Sequence, residues 1–454
     1  MKPIKQNRIL TLHFLAAASL FLSSCNKYLD AKPDRSLAVP ATMQDFQAIL
    51  DNNTRINEFP VAGDIAGDDY FLKAADLSNF SMPNQLTYQW DPQAPNDLDW
   101  SYNYGNIESF NIVLDGLKNT GDPANAAWRQ LKGSALFLRG YTFYQLANIF
   151  TSPYDPRAAA SAEGIPLRLS SDITARTVRS TMASTYLQMI ADLKMAAALL
   201  PVTPAVKTRP CKPAAYAALA RVYLAMQDYQ NANIYADSCL ALYNKLIDYN
   251  TLSKTSANPL GLFNDEVIFH ALSHGGDGML YPGYARVDTD LYRSYAATDL
   301  RKQVFYSKAG DGYFAFKGDY SGQSEGQLFN GIAVDEILLI SAETYARLGN
   351  PAKAMADLNL LLSKRYASGT FVPYATNTPG ALALILTERR KELAFRSEIR
   401  WSDLRRLNSD AQFAKTLYRH IGSQVYTLPP GDKRYAFLIP VSVIQLSGIT
   451  QNPR

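Results

Sequence analysis

Two helices separated by a tight break are predicted over residues 334–365, and this stretch constrains the fold more than any other. Through its first half, apolar residues recur at three- and four-residue steps, the period of one helix face. These are Val334, Ile337, Leu338, Ala342, Tyr345 and Ala346. Gly349 and Pro351 mark the break, since Gly tolerates the left-handed C-cap conformation and Pro is preset for the first turn of a helix. The stretch therefore predicts an antiparallel helical hairpin.

The same pattern occurs a second time, over residues 215–241. Four positions keep their mutual spacing in both stretches: Ala220, Tyr223, Tyr229 and Ala232 in one, and Ala342, Tyr345, Pro351 and Ala354 in the other. Small residues let paired helices approach closely, as in tetratricopeptide repeats, and one hairpin cannot bury its apolar face alone. The sequence therefore predicts a mostly α fold, a tetratricopeptide-like scaffold with helical repeats at about 100–150, 181–243 and 334–366.

Two long segments, about 54–99 and 249–331, show no sustained periodicity. The first is rich in Asp, Asn, Pro and aromatic residues, and the second in Gly and aromatic residues. Disordered segments are poor in aromatic residues, and long irregular segments inside compact proteins are usually functional. We expect these segments to form a loop-rich lobe that binds a ligand. Residues 381–454 are expected to pack on the repeats and to end in an extended tail from residue 437.

The first 25 residues have the pattern of an export signal. Lys2, Lys5 and Arg8 precede an apolar run at 9–22 that is too short for a stable membrane span. The run ends in Leu-Ser-Ser-Cys25, which resembles a bacterial lipobox, so Cys25 is the expected site of lipidation and the mature domain spans 26–454. The alternative is an ordinary secretory signal with a chance cysteine.

Charge and cysteine content exclude some classes of function. Removing the signal removes three positive charges and lowers the formal net charge from +4 to +1. A chain without a basic excess cannot neutralise many phosphates, so nucleic acid is not expected as a partner. Cys211 and Cys239 fall near the ends of one hairpin, where a disulfide is conceivable and two separately buried thiols are the favoured interpretation.

Five stretches form an ordered set along the mature chain. They are CNKYLD at 25–30, LRGYTFYQL at 138–146, the helix from Asp335 that ends in AETYARLG, ERRKELAF at 388–395 with RWSDLRR at 400–406, and IP at 439–440 with QNP at 451–453. Together they resemble the motifs of the SusD/RagB family of Bacteroidetes outer-membrane lipoproteins. One departure is Arg396-Ser397, where the family has Glu-Gly.

The resemblance implies a lipid-anchored protein at the outer membrane, exposed at the cell surface. Such proteins capture oligosaccharides and deliver them to a partner TonB-dependent transporter of the SusC kind, without catalysis and without a cofactor. A peptide-binding member of the same family and a tetratricopeptide-type scaffold for protein interactions are the alternatives. A secreted hydrolase is a third hypothesis, although nothing in the sequence specifically favours it.

Candidate chemistry outside this resemblance is sparse. The charged run 388–406 is interpreted as a partly buried ion-pair network rather than an acid–base site. His270 and His274 stand four apart, but the metalloprotease pattern needs a Glu directly after the first His, and no third ligand is evident. Asp64, Asp68 and Asp69 do not fit an EF-hand and are interpreted as a solvated turn. No catalytic residue and no metal site are therefore assigned.

The aromatic residues of the irregular segments are the candidate ligand contacts. A flat aromatic ring covers the apolar C–H face of a sugar, while amide and charged side chains bind its hydroxyl groups. Seven residues have this mixture of types: Asn84, Tyr88, Trp90, Tyr281, Tyr284, Arg286 and Tyr320. The competing interpretation is that these aromatic residues only pin long loops to the helical core.

Overall fold

The structure, a computed structural model, describes residues 40–323 and 326–454 of the 454-residue chain. The predicted export signal, the lipidation site Cys25 and the CNKYLD motif lie outside the described residues. Residues Thr42–Arg454 form one compact unit. In the described part of the chain, no helix combines the length and the apolar character needed to cross a membrane.

Helices make up most of the regular structure. They are α1 Met43–Leu50, α2 Asn53–Ile56, α3 Ala62–Ala66, α4 Ala74–Leu77, α5 Met82–Tyr88, α6 Asp97–Gly116, α7 Ala126–Phe150, α8 Met182–Leu199, α9 Lys212–Ala225, α10 Tyr229–Leu242, α11 Thr289–Ser294, α12 Arg301–Val304, α13 Val334–Arg347, α14 Pro351–Ser363, α15 Ala381–Glu392, α16 Ile399–Leu407 and α17 Val441–Ser447. Single 3-10 turns lie at Tyr249–Thr251, Gly276–Gly278 and Lys433–Tyr435.

The strands are short and pair two by two. They are β1 Glu58–Phe59, β2 Tyr70–Phe71, β3 Val267–Phe269, β4 Leu272–Ser273, β5 Arg286–Val287, β6 Tyr306–Lys308, β7 Phe314–Phe316, β8 Ile332–Ala333, β9 Leu417–Ile421 and β10 Gln424–Leu428. The β1–β4 pair is parallel, whereas β2–β5, β3–β8, β6–β7 and β9–β10 are antiparallel. Because β1 and β2 pair with β4 and β5, the two irregular segments are joined to each other.

The predicted hairpin is confirmed as α13 and α14. Ile337, Leu338 and Ala342 of α13 are buried against the neighbouring helices. Gly349 ends the helix in the left-handed region, at φ +78°, where a residue with a Cβ is strained. Asn350 then caps α14, its Oδ1 accepting from the Lys353 backbone N–H at 3.2 Å. The break therefore uses the residue types that the sequence indicates.

The long helices form one continuous scaffold. From α6 to α10, each helix packs against the next in the chain; α10 then packs against α13, which contacts both α14 and α15. The second predicted hairpin corresponds to α9 and α10, and the mostly α fold with a loop-rich lobe is confirmed. Cys211 and Cys239 are both buried and unpaired, as the favoured interpretation has it.

The scaffold and the irregular segments each have an apolar core. The larger core fills the space between the scaffold helices and includes Phe137, Leu146 and Leu219. The second core lies under the irregular segments and is rich in aromatic side chains, among them Phe305 and Tyr320. The lobe is therefore a packed structure of its own.

Buried ion pairs join the lobe to the scaffold. Arg301, which is fully buried, binds Glu388 at 2.5 Å and Glu392 at 3.1 Å. Arg365 binds Glu392 at 2.7 Å and Glu266 at 2.8 Å. Removing one member would leave an uncompensated buried charge. The predicted ion-pair network is thus confirmed, and it extends beyond residues 388–406.

Two sequence-based expectations about local structure are wrong. The tail is not extended throughout, because Pro440 and Gly448 bound the helix α17. Asp68 and Asp69 do not lie in a solvated turn. The Asp68 carboxylate binds Arg390 at 3.2 Å and Arg400 at 2.6 Å, and Asp69 binds Arg390 at 2.8 Å. The arginines come from a region more than 300 residues away, which local sequence does not reveal.

Candidate ligand-binding site

Tyr88 and Trp90 lie in the interior. The Trp90 indole Nε1–H donates to the Ala66 carbonyl oxygen at 2.9 Å, and the Tyr88 hydroxyl accepts from the Leu72 backbone N–H at 2.8 Å. The Arg419 guanidinium, which comes from β9, lies over both rings, 3.7 Å from the centre of Tyr88 and 4.8 Å from that of Trp90. Neither ring has a face open to a ligand in this structure.

Tyr320 and Arg286 also hold the lobe together. The Tyr320 hydroxyl donates to Glu266, and the Arg396 guanidinium lies 3.4 Å from the centre of its ring. Burial raises the pKa of Tyr320 well above its usual value. Arg286 donates from Nε to Asp311 at 2.8 Å and also donates to neighbouring loop carbonyl groups. For these residues, the geometry favours the pinning of loops over ligand contact.

The other three candidates, Asn84, Tyr281 and Tyr284, remain near the surface around Asp277. The Asn84 Nδ2 group donates to Asp277 Oδ2 at 2.8 Å. Tyr284 packs edge-on against Phe80 at 5.2 Å between ring centres. The Tyr281 side chain is 46% exposed. Tyr281 follows Asp277 by four residues, and its backbone N–H donates to the Gly278 carbonyl oxygen of the same turn at 2.9 Å. The turn thus combines an exposed ring, an amide and a carboxylate, the residue types that the sequence analysis sought.

The backbone explains how this turn holds its shape. Gly276, Asp277 and Gly278 all have positive φ, at 51°, 56° and 75°, so the chain reverses through successive left-handed conformations. A Cβ at Gly283 would lie 2.9 Å from the Tyr281 ring. The small residue at 283 therefore leaves room for the ring in its observed position. Asp277 itself was not among the predicted residues, although the run Gly-Gly-Asp-Gly is a recognisable turn signal.

A groove of about 270 Å³ adjoins this turn. Its floor comes from α3, one wall from α5, and the other from the start of α6. It is lined by Val61, Ala62, Ile65, Ser81, Pro83, Asn84, Thr87, Pro95, Asn96, Asp97, Leu98, Asp99, Gly276 and Asp277. Leu98 and the nearby Met82 are large apolar side chains that stay mostly exposed, at 59% and 62%. Neither is recognisable as a site residue from sequence alone.

Carboxylates support the floor of this groove. Asp99 accepts from the Ala62 backbone N–H at 3.1 Å, and burial raises the pKa of Asp99, against the influence of His274. Behind the floor, the Asp64 carboxylate accepts from the Glu398 backbone N–H at 2.8 Å. Burial raises the pKa of Asp64 to about 7 and that of Glu398 well above its usual value. The floor therefore rests on acids that favour their protonated form.

Two larger concavities, each of about 450 Å³, lie elsewhere. One is lined by Arg390, Arg400 and Lys415, all of which bind Asp68. The other is lined by Trp128 and Lys132, whose ammonium group lies 4.9 Å from the centre of the indole. Because their charged groups already have partners and they contain none of the predicted residues, we do not take them as the candidate site.

The histidine pair has no metal-site geometry. His270 lies between β3 and β4, and His274 directly follows β4, so the two do not share a helix face. His274 Nδ1 lies 3.5 Å from Glu58 Oε2, and the pKa of His270 is lowered to about 4 by burial. Across residues 40–323 and 326–454, no three His, Cys, Asp or Glu side chains are grouped to hold a metal ion.

Comparisons with known proteins agree on one family. A family model described as "Starch-binding associating with outer membrane" matches residues 27–224, and a model described as "SusD family" matches residues 334–453. A SusD-like protein P2 of Formosa agariphila is 24% identical over 398 residues, covering 73% of this chain and 74% of that protein.

Solved structures show the same fold. A SusD superfamily protein of Bacteroides thetaiotaomicron has a TM-score of 0.75 and 24% identity, covering 91% of this chain and 100% of its own. A SusD-like carbohydrate binding protein of Bacteroides vulgatus has a TM-score of 0.67 and 21% identity, covering 90% and 96%. Both likenesses extend over the scaffold and the lobe together.

Proposed function

This chain belongs to the SusD/RagB family, and from that premise we propose that it is a glycan-binding lipoprotein of the outer membrane that performs no catalysis. It captures oligosaccharide at the cell surface and delivers it to a SusC-like TonB-dependent transporter. The lipid at Cys25 anchors it.

The turn that bears the exposed Tyr281 ring and the hydrogen-bonded pair Asn84 and Asp277 is the observation that carries this proposal. The ring offers a flat apolar face for the C–H groups of a pyranose. Asn84 and Asp277 offer an amide and a carboxylate for hydroxyl groups, and their mutual hydrogen bond fixes both side chains. The adjoining groove provides room for further sugar units. Reversible binding by stacking and hydrogen bonding follows from this arrangement.

Binding is tested with the soluble form that starts at Asn26. Calorimetry or affinity electrophoresis against a panel of polysaccharides and peptides identifies the ligand class. Tyr281→Ala should weaken binding about tenfold, equivalent to about 1.4 kcal/mol. Tyr418→Ala is the matched control, because Tyr418 is 62% exposed on β9 and packs on nothing at the candidate site. Equal affinities for the two variants would rule out this site, and binding of peptides alone would favour the peptide-binding alternative.

The transporter partnership needs a separate test. The full-length chain, co-expressed with a SusC-like transporter from the same genome, should co-purify with that transporter in detergent. The soluble form should then bind the ligand more tightly, or retain it longer, when the transporter is present. Failure to co-purify under conditions that keep the transporter folded would contradict the delivery step. It would not affect the proposal that the chain binds glycan.

A further inference from the structure

The groove carries an unbalanced negative charge. Its lining contains the carboxylates of Asp97, Asp99 and Asp277 and no lysine or arginine. Lys73 and Arg286 of the lobe both form ion pairs with Asp311, so their charges are already neutralised outside the groove. The charge of the groove therefore differs in sign from the small positive net charge of the whole chain.

Neutral dipoles hold these carboxylates without cancelling their charge. Asp277 accepts from the Ser81 backbone N–H at 3.2 Å and from Asn84 at 2.8 Å. Asp99 accepts from backbone N–H groups of the floor, and its burial favours the protonated form. Asp97 lies exposed in the first turn of α6. The charge at the groove mouth thus comes mainly from Asp97 and Asp277.

His274, which influences the lining residue Asp99, belongs to a cluster that also contains an acid and Arg55. The Arg55 guanidinium lies 3.7 Å from the centre of the Tyr102 ring. The hydroxyl group of the same tyrosine donates to Glu58 at 3.2 Å, and Glu58 also faces His274. These groups form a nearly balanced set, so they do not offset the charge of Asp97 and Asp277.

The walls strengthen the effect of this charge. Val61, Ile65, Pro83 and Leu98 present apolar surface in its lining, and clefts with low-dielectric walls focus field lines and raise the local concentration of counter-ions about 10- to 1000-fold. An anionic sugar unit would approach like charges and lose its hydration without gaining a cation in return. An ammonium group would instead find an open carboxylate.

We propose that this groove selects its ligand by charge, accepting neutral and amine-bearing units and rejecting uronate, sulfate or other anionic units. The proposal rests on the proposed function, because it takes the groove to be the ligand site. It names a substrate class that family membership leaves open.

A reactivity measurement tests the charge of the groove without any glycan. In the soluble form, Cys211 and Cys239 are buried, so a cysteine introduced at Leu98 is the accessible thiol. Its rates of modification by a cationic methanethiosulfonate, with a trimethylammonium group, and by an anionic one, with a sulfonate group, are compared at low salt. Leu446→Cys is the control, because Leu446 is 90% exposed on α17, whose residues Val441–Ser447 carry no charge.

The cationic-to-anionic rate ratio should be about tenfold higher at position 98 than at position 446. Adding Asp97→Asn and Asp277→Asn should bring the two ratios together, as should high salt. Asp97→Asn alone should lower the rate ratio at position 98 by a smaller amount. Because Asp97 is exposed and lies outside the Asp277 turn, this variant controls for misfolding of the turn. Equal ratios at both positions in the otherwise unchanged chain would overturn the proposal.

A second measurement connects the charge to binding. Any polysaccharide that binds in the panel is retested after oxidation of its C6 hydroxyl groups to carboxylates, and its affinity should fall at least about tenfold. Unchanged affinity of the oxidised polysaccharide would also overturn the proposal. If no glycan binds, the proposed function fails, while the thiol rates still decide whether the groove prefers cations.

Discussion

The backbone N–H of Gly63 donates to Glu398 Oε1 at 2.9 Å, although 335 residues separate the two along the chain. Gly63 lies in α3, which forms the groove floor, and Glu398 directly precedes α16. The Asn148 side chain donates to the other Glu398 oxygen at 3.1 Å. The floor of the candidate site is therefore fastened to the scaffold by one buried carboxyl group.

Gly63→Ala should destabilise the protein, because a Cβ at this position would lie 2.4 Å from Glu398 Oε2. Overpacking of this kind typically costs about 1–3 kcal/mol in the free energy of unfolding, measured by urea denaturation. Gly261→Ala is the matched control, since no atom lies within 4 Å of its added Cβ. Similar losses in the two variants would show that the close approach to Glu398 is not the cause.

Asp64 should lower stability as the pH rises from about 4 to about 7, whereas His270, with its lowered pKa, acts in the opposite direction over part of this range. The pKa of Asp64 is about 7 in the folded protein, against an ordinary value of 3.8. Between these values, the folded state keeps a proton that the unfolded state has lost, so each pH unit lowers the free energy of unfolding by about 1.4 kcal/mol. Burial raises the pKa of Glu398 in the same direction.

Asp64→Asn removes this titrating group but keeps an acceptor for the Glu398 backbone N–H and a polar partner for Ser397. Urea denaturation at pH 5, 6 and 7 should therefore give a shallower dependence of stability on pH in the variant. Parallel curves for the two proteins would contradict the assignment of a protonated carboxyl group at position 64.

Arg365→Met should cost about 3–5 kcal/mol of unfolding free energy, because it leaves Glu266 and Glu392 without this buried guanidinium. Thermal and urea denaturation both measure the loss. Lys118→Met breaks an exposed pair with Asp115 and should cost less than about 1 kcal/mol. A small loss at Arg365 would mean that the remaining arginines of the network compensate for its charge.

Trp90→Ala should lower stability and leave ligand affinity unchanged. It removes a buried ring, its hydrogen bond to Ala66 and its contact with Arg419, for which a loss of about 3–5 kcal/mol is typical. Tyr281→Ala should show the reverse, with nearly unchanged stability and weaker binding. A folded Trp90→Ala protein with impaired binding would return Trp90 to the list of ligand contacts.

Cys25→Ser should move the protein from the membrane fraction to the soluble fraction, because a serine cannot receive the thioether-linked lipid. Metabolic labelling with a radioactive fatty acid, followed by fractionation, measures both changes. The unaltered chain should carry label and sediment with membranes. Label that persists in the variant would contradict Cys25 as the lipidation site.

The scaffold could be predicted because its signals are local. The apolar spacing lies within α13 and α14 themselves. Gly349, with its left-handed conformation, and the capping Asn350 lie directly at the break between the two helices. Boundaries predicted from such signals need no knowledge of distant partners.

The candidate site was predictable only in part, because burial in the lobe depends on distant contacts. Tyr88 and Trp90 look like ligand contacts in sequence, yet Arg419 from β9 covers both rings. The same holds for Tyr320, which Arg396 covers. Tyr281 stays exposed because no such arginine reaches it in the described structure. Aromatic composition singled out the segments that form the lobe but could not distinguish pinned rings from exposed ones.

The two buried thiols have a consequence for the exported protein. On the proposed export route, the chain folds in the periplasm, an oxidising compartment. Burial raises the pKa of Cys211 to about 11 and also raises the pKa of Cys239, so both thiols are protonated and unreactive in the folded protein. Burial of both thiols in the folded chain therefore protects them from oxidation in that compartment.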